Sequence, residues 1–458
     1  MNLLFSIQGI IILYFLITLG IGFYKRSNDT VHSFLFAGRR LTIPALVATL
    51  VSTWYGGILE IGRFSYENGI VTWIIFGCFY YIAALFFVKF IAPKIIHSQI
   101  PTIPDLFKTA FGKWPAFIAI ICIIFMATPA PYLKILADLL HHVWNIPIMA
   151  GLCIGATLSL AYTFTGGFSA IVRTDKLQFI LMFMGFALIL LASYFQYGGL
   201  SYLINNTPDH TFHIPGNFNW TYIFAWGFIA LITFIDPGFY QRTFAGNSLK
   251  TVQKGIFISV LFWILFDFMT VFTGIYALAI LPMESTNPYI DLAQYVLPPI
   301  GQGLFIVSLF AIVMSTIDSF SFISAFTIGK NLMPLLMHTK DENTILYYTK
   351  WGLGITTLFS IVLAMLFEYA IDIWYAIGSF TVPALLLPLL AALNNIKINN
   401  ILIVMIIPML ISIIWYLLGI INEVMTIFIT LDPMYPGIFT SLILFLININ
   451  PQHHHKAP

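Results

Sequence analysis

The chain is a succession of apolar runs, most of them about the length of a membrane-crossing helix (roughly 20 residues), divided by short polar segments. In lipid every backbone amide has to be satisfied within its own segment, so runs of this kind fold as spanning helices. They fall near 3–23, 42–62, 70–92, 115–139, 147–165, 174–195, 219–239, 255–281, 299–335, 348–368, 373–393, 400–421 and 436–448, thirteen in all. Only 8% of the 458 residues are charged and 60% are hydrophobic, against about 25% charged in a soluble domain. So few charges do not cover a water-facing surface, which excludes a soluble enzyme and a disordered chain. With 20 Lys and Arg against 18 Asp and Glu there is no basic surplus for phosphate, so no nucleic-acid partner is expected. The expected fold class is an all-α polytopic membrane protein, one transmembrane domain over 1–458 embedded in a lipid bilayer.

Cys78, Cys122 and Cys153 lie inside apolar runs without metal-ligand spacing and read as small buried hydrophobes. The first basic residue, Lys25, follows the first run, so 3–23 reads as a retained leading helix rather than a cleaved signal. The tail at 453–456 reads as a solvated end, and no soluble domain is expected beyond the last run. With the N-terminus outside, 18 of the 20 Lys and Arg fall on the cytoplasmic side, leaving only Arg63 and Lys134 on the other. That bias implies an odd number of crossings, N-terminus out and C-terminus in, and an inner-membrane location. The segments 196–218 and 282–298 are the longest outer connections and are expected to form short lids. Asn205-Asn206-Thr207 is followed by Pro208 and does not read as a glycosylation site. No obligatory protein partner is evident.

Transporters are commonly two inverted repeats, each opened by a discontinuous helix. Units at 42–195 and 219–393 would have five spans each and opposite topology, with 3–23 as an extra leading helix and 400–448 as two accessory helices. Gly56-Gly57 interrupts the first opening helix, and Pro237-Gly238 lies late in the second.

Polar groups at membrane depth are costly and mark function. The densest set is Ala311-Ile-Val-Met-Ser315-Thr316-Ile-Asp318-Ser319. At helical spacing Ser308, Ile312, Ser315 and Ser319 share a face, with Thr316 beside them. Hydroxyls and freed carbonyls are hard oxygen donors suited to a small hard cation. The same hydroxyls can instead bond back to the preceding turn or ease close helix packing. Asp318 has to be paired, solvated, ion-bound or protonated at that depth. The second set is Thr49-Leu-Val-Ser52-Thr53-Trp54-Tyr55-Gly56-Gly57, where two glycines can unwind a helix and release carbonyls, or simply form a small-residue packing face.

Four segments carry a family resemblance: Phe34-Leu35-Phe36-Ala37-Gly38-Arg39-Arg40-Leu41; the stretch from Tyr162 through Gly166-Gly167 to Thr174-Asp175-Lys-Leu-Gln178; Tyr240-Gln241-Arg242 with Ala245; and Ser315-Thr316-Ile317-Asp318-Ser319. In this order the chain resembles the sodium:solute symporter family, which has the leucine-transporter fold with an extra leading helix. The resemblance implies Na+ as coupling ion, held by the carbonyls of Ser52, Tyr55 and Ile312 and the hydroxyls of Ser315 and Thr316. It implies a possible second Na+ at Asp175, with Asp318 and Ser319 as neighbours. Asp175 can alternatively satisfy the N–H groups of a helix start, and a protonated Asp318 would point to proton coupling.

The implied solute pocket lies between core helices one, two, three, six and ten, with Trp54, Glu60, Arg63, Lys134 and Trp226 as candidates alongside Asp138 and Asp236. Glu60 with Arg63, and Lys134 with Asp138, can equally neutralise each other. Tyr132-Leu-Lys134-Ile-Leu-Ala-Asp138 resembles a sugar-carrying branch and Thr53–Gly57 a choline-type one, so the branch stays unassigned. Arg39, Arg40 and Arg242 read as anchors of cytoplasmic helix ends. The expected function is sodium-coupled import of a small polar organic solute by alternating access; the alternative is a proton-coupled symporter or exchanger using Asp318 or Asp175. No nucleophile constellation or H-E-x-x-H points to an enzyme, and no filter sequence to a channel.

Overall fold

The computed structural model describes residues 6–24, 30–282, 284–338, 341–367, 369–421 and 431–450. Residues 3–5 of the leading run, the basic residues Lys25, Arg26, Lys340 and Lys456, and the rest of the 453–456 tail lie outside them. Helices are the only extended regular elements among the described residues, with isolated bridges at Leu41–Gly246 and Ile398–Ile449. Among them nine helices are long and apolar enough to cross a bilayer, or ten when the bent pair Ile43–Tyr55 and Ile58–Asn68 counts as one span. Ile7–Phe23 and Met434–Asn448 are shorter apolar helices. Outward faces carry bare apolar side chains such as Leu358 and Leu366, as a lipid-facing surface requires. Of the three cysteines only Cys122 is buried; Cys78 is half-buried and Cys153 exposed, because an apolar run in lipid has an outer face as well as an inner one.

The helix Pro299–Phe326 forms the centre of the bundle. Every side chain from Phe305 to Ser319 is buried, and a helix enclosed on all sides needs partners all round. Those partners include Ile7–Phe23, Ala130–Trp144, Ile148–Tyr197 and Glu342–Leu366. The run continues through a π-helical turn at Thr327–Leu332 to Met337, so the long apolar stretch is one helix with a short extension.

The runs expected at 147–165 and 174–195 join into one 50-residue helix, Ile148–Tyr197, broken at Gly167. Gly167 has φ 55° and ψ −151°, a region that is essentially open to glycine alone. A Cβ there would lie 2.6 Å from the Phe34 carbonyl oxygen. Gly167→Ala is therefore expected to destabilise the fold by about 1–3 kcal/mol, read as a lower melting temperature of the purified protein.

The first broken helix has a different cause. Ile43–Ser52 passes through a 3₁₀ turn, Thr53–Tyr55, into Ile58–Asn68, with a 60° bend. Gly56 and Gly57 both have negative φ, at −53° and −84°, so left-handed backbone is not what requires them. Space is: a Cβ on Gly56 would lie 2.6 Å from Thr316 Cβ, and one on Gly57 would lie 1.5 Å from the Trp374 ring.

The second break begins earlier than Pro237-Gly238 suggests. Trp220–Ile229 ends at Ala230, a short turn Ile232–Ile235 follows, and Pro237–Ala245 restarts after Asp236. Asp236 caps that restart by accepting the Phe239 N–H at 2.7 Å, with Pro237 as the first helical residue. The connections at 196–218 and 282–298 contain short helices. Leu200–Asn206 lies in one, and Pro288–Val296 lies in the other, where the buried Tyr289 hydroxyl donates to the Thr270 carbonyl at 2.7 Å.

Candidate functional site

The hydroxyl-bearing face of Pro299–Phe326 meets the 3₁₀ turn of the first broken helix. Thr316 Oγ1 lies 3.0 Å from the Thr53 carbonyl and 3.2 Å from that of Ile312. Ser315 Oγ lies 2.9 Å from Ser52 Oγ and 2.7 Å from Asp175 Oδ1. Ser52 gives its own proton to the Ala48 carbonyl at 2.8 Å. One Ser315 proton thus faces two acceptors, and the carboxylate is the stronger. Oxygen lone pairs from two helices converge here, all fully enclosed. Tyr55 belongs to the same turn, its side chain anchored away by a 3.1 Å hydrogen bond to the Trp263 carbonyl. The structure therefore brings Ser52, Tyr55, Ile312, Ser315 and Thr316 into one neighbourhood.

The three residues implied for a second ion have separate partners. Asp175 sits inside the second arm of Ile148–Tyr197 rather than at a helix start, and accepts hydrogen bonds from Thr49 and Ser315. Ser319 Oγ lies 3.1 Å from Thr53 Oγ1. Asp318 points to the first arm of the broken helix, where Ser159 Oγ donates to it at 2.5 Å and the Tyr162 hydroxyl donates to its other oxygen.

Arg242 departs most from its sequence reading. It is not an anchor at a cytoplasmic end: only 2% of it is exposed. Because its helix restarts at the mid-bundle break after Asp236, the guanidinium projects into the core. Its Nη2 donates to Thr53 Oγ1 and Ser319 Oγ, each at 2.8 Å, and to Thr49 Oγ1 at 3.1 Å. A nitrogen held by three hydroxyls, one of them bonded to Asp175, occupies the kind of oxygen cage that a small cation would need. Arg39 does act at a surface, donating to Gln99 Oε1 at 2.6 Å and lying over the Phe244 ring.

Beside the break lies a cavity of about 160 Å³. Trp54 and Trp226 line it. Glu60, Arg63 and Lys134 are not among its walls. Glu60 and Arg63 pair with each other at 3.0 Å, and the Arg63 guanidinium stacks on Tyr369, so their charges are spent locally. Asp236 and Asp267 both line the cavity. Asp267 accepts the Tyr81 hydroxyl, which in turn accepts the Trp73 indole N–H at 3.0 Å. Asp267 was legible by the criterion that singles out Asp318, since it is the one charged residue in the run 255–281. Ser159, Tyr162 and Tyr81 carry no such signal in the sequence.

The chain is 26% identical over 371 residues to the sodium/glucose cotransporter 4 of Mus musculus, covering 68% of this chain and 53% of that protein. It is 27% identical over 231 residues to the sodium/pantothenate symporter of Haemophilus influenzae, covering 48% of each. The chain thus spans about half the length of these curated relatives. In three dimensions it matches a Na+-coupled sialic acid symporter solved in a substrate-bound outward-open state, with a TM-score of 0.76, 15% identity, and coverage of 97% of this chain and 98% of that one. The likeness carries the fold, which is of the leucine-transporter type. The model of a family of transporters, not enzymes, matches residues 34–400. The chain belongs to the sodium:solute symporter family.

Proposed function

We propose that this protein is a sodium-driven symporter that carries a small polar organic solute into the cell by alternating access. One Na+ is held by the carbonyls of Ser52, Tyr55 and Ile312 and the hydroxyls of Ser315 and Thr316. The observation that supports this reading is the approach of Thr316 Oγ1 to the Ile312 carbonyl at 3.2 Å and to the Thr53 carbonyl, the neighbour of Ser52 in the 3₁₀ turn, at 3.0 Å, where oxygens of two helices converge out of water. Five neutral oxygens suit a hard monovalent cation held weakly enough to leave. The aromatic-walled cavity beside the ion site receives the solute, with Trp54 and Trp226 in contact with it. The family and its relatives, whose names pair sodium with glucose or pantothenate, support the same reading.

The transporter sits in the inner membrane with its N-terminus outside. Units 42–195 and 219–393 act as inverted repeats, and 3–23 and 400–448 as accessory helices. The test is uptake into proteoliposomes with and without an inward Na+ gradient, across pooled sugars, amino acids, carboxylates and amines. Accumulation only with the gradient is expected; sodium-independent uptake with a pH optimum would replace sodium with proton coupling through Asp318 or Asp175. A second Na+ at Asp175, with Asp318 and Ser319 nearby, is the finer part of the proposal. Asp175→Asn is expected to make the sodium activation curve less steep while the protein still inserts, and an unchanged steepness would remove Asp175 from ion binding.

A further inference from the structure

The cavity beside the proposed ion site has walls rich in aromatic rings, with two carboxylates among them. Trp54, Tyr80, Tyr132, Trp226 and Trp374 present rings to it, and its described lining contains no Lys, Arg or His. Its two carboxylates differ in how they are satisfied. Asp236 caps the helix Pro237–Ala245, accepting the Phe239 N–H at 2.7 Å at the positive end of that helix. Asp267 has no such compensation. It lies in the middle of the apolar helix Leu249–Ile280, is 7% exposed, takes a hydrogen bond from the neutral Tyr81 hydroxyl and lies beside the equally neutral Tyr55 hydroxyl. No ion pair to Asp267 exists among the described residues.

A carboxylate at membrane depth calls for a partner, and Asp267 shares its cavity with rings whose π-faces attract cations. We propose that the transported solute is a small organic cation, an ammonium-bearing molecule seated among these rings with Asp267 as its counter-charge. The inference rests on the symporter reading, since it names the solute class of the same cavity. Trp54 then contributes as a ring of the cage, and Tyr81, held by Trp73, positions the Asp267 carboxylate.

The purified full chain in detergent with Na+ provides the test, with quenching of tryptophan fluorescence as the binding signal. The probes are tetramethylammonium and tert-butyl alcohol, which share a shape and differ in charge. Saturable quenching by tetramethylammonium and none by the alcohol is expected. Asp267→Asn is expected to weaken tetramethylammonium binding by roughly tenfold or more, and Asp267→Glu to retain most of it. Trp54→Leu, which leaves the carboxylate pair intact, is expected to weaken it as well. Equal binding of both probes, or unchanged binding in Asp267→Asn and Trp54→Leu, would overturn the proposal. Sodium-driven uptake of glucose or pantothenate without tetramethylammonium binding would sink the solute class and leave the symporter standing. Charge-selective binding without any sodium-driven uptake would do the reverse.

Discussion

Replacing Ser315 and Thr316 together with alanine is expected to raise the sodium concentration for half-maximal uptake several-fold at least. The two hydroxyls supply two of five proposed oxygen ligands, and a hydrogen-bond-strength contact to a charged group contributes about 1.5–3 kcal/mol. Loss of even part of one such contact is visible in a sodium titration of uptake. The two side chains are also buried, with Thr316 Oγ1 and Ser315 Oγ both in reach of the first broken helix, so water cannot readily replace them. The single variants are expected to shift the titration less than the double one. An unchanged titration in the double variant would place the ion elsewhere.

Removing the Arg242 side chain is expected to have the second large effect. Its Nη2 is the shared donor to Thr49, Thr53 and Ser319, and Thr49 passes its own proton to Asp175. In Arg242→Ala those oxygens face one another around a buried carboxylate without a cation, and an uncompensated buried charge costs about 3–5 kcal/mol. Uptake normalised to the amount of inserted protein is expected to fall by roughly tenfold or more. Arg242→Lys should restore part of it, because a lysine brings the charge without the planar fork that spans three acceptors. Full activity in Arg242→Ala would show the cage to be dispensable. A steeper sodium activation curve in that variant would mean that a sodium ion enters the place the guanidinium leaves.

The fold was legible because lipid enforces a simple pattern: long apolar runs between polar ends. The hydroxyl-bearing helix was legible for the related reason that Ser315, Thr316 and Asp318 stand out against an apolar background. What escaped depends on tertiary placement. Arg242 follows a Pro-Gly pair in a polar stretch and so reads as a helix end. Only the break at 230–236 shows that this helix starts in the middle of the bundle. Nothing local marks that break at Ala230 and Leu231, where ordinary helix formers adopt tight turns. Glu60 and Arg63 drew attention as charges near the expected pocket, and their mutual pairing took them out of it. Asp267 obeys the same rule as Asp318, but the nearest hydroxyl in its own segment, that of Thr270, bonds the Asp267 backbone carbonyl at 3.1 Å, so only the fold reveals what its carboxylate faces.

The crowding at Gly57 has a consequence for the electrostatics of the ion site. The Trp374 ring lies flush on the backbone of the bend, closer than any side chain at Gly57 would tolerate. A slab of indole in that position keeps solvent off one side of the turn and lowers the local permittivity, which strengthens every ion–dipole contact nearby. Trp374 belongs to the helix Ala370–Leu393, which contributes no ligand to the proposed Na+. The grip on the proposed cation would thus be set in part by an insulating plate carried on a separate strut, and tilting that strut would weaken the hold without moving a single proposed ligand.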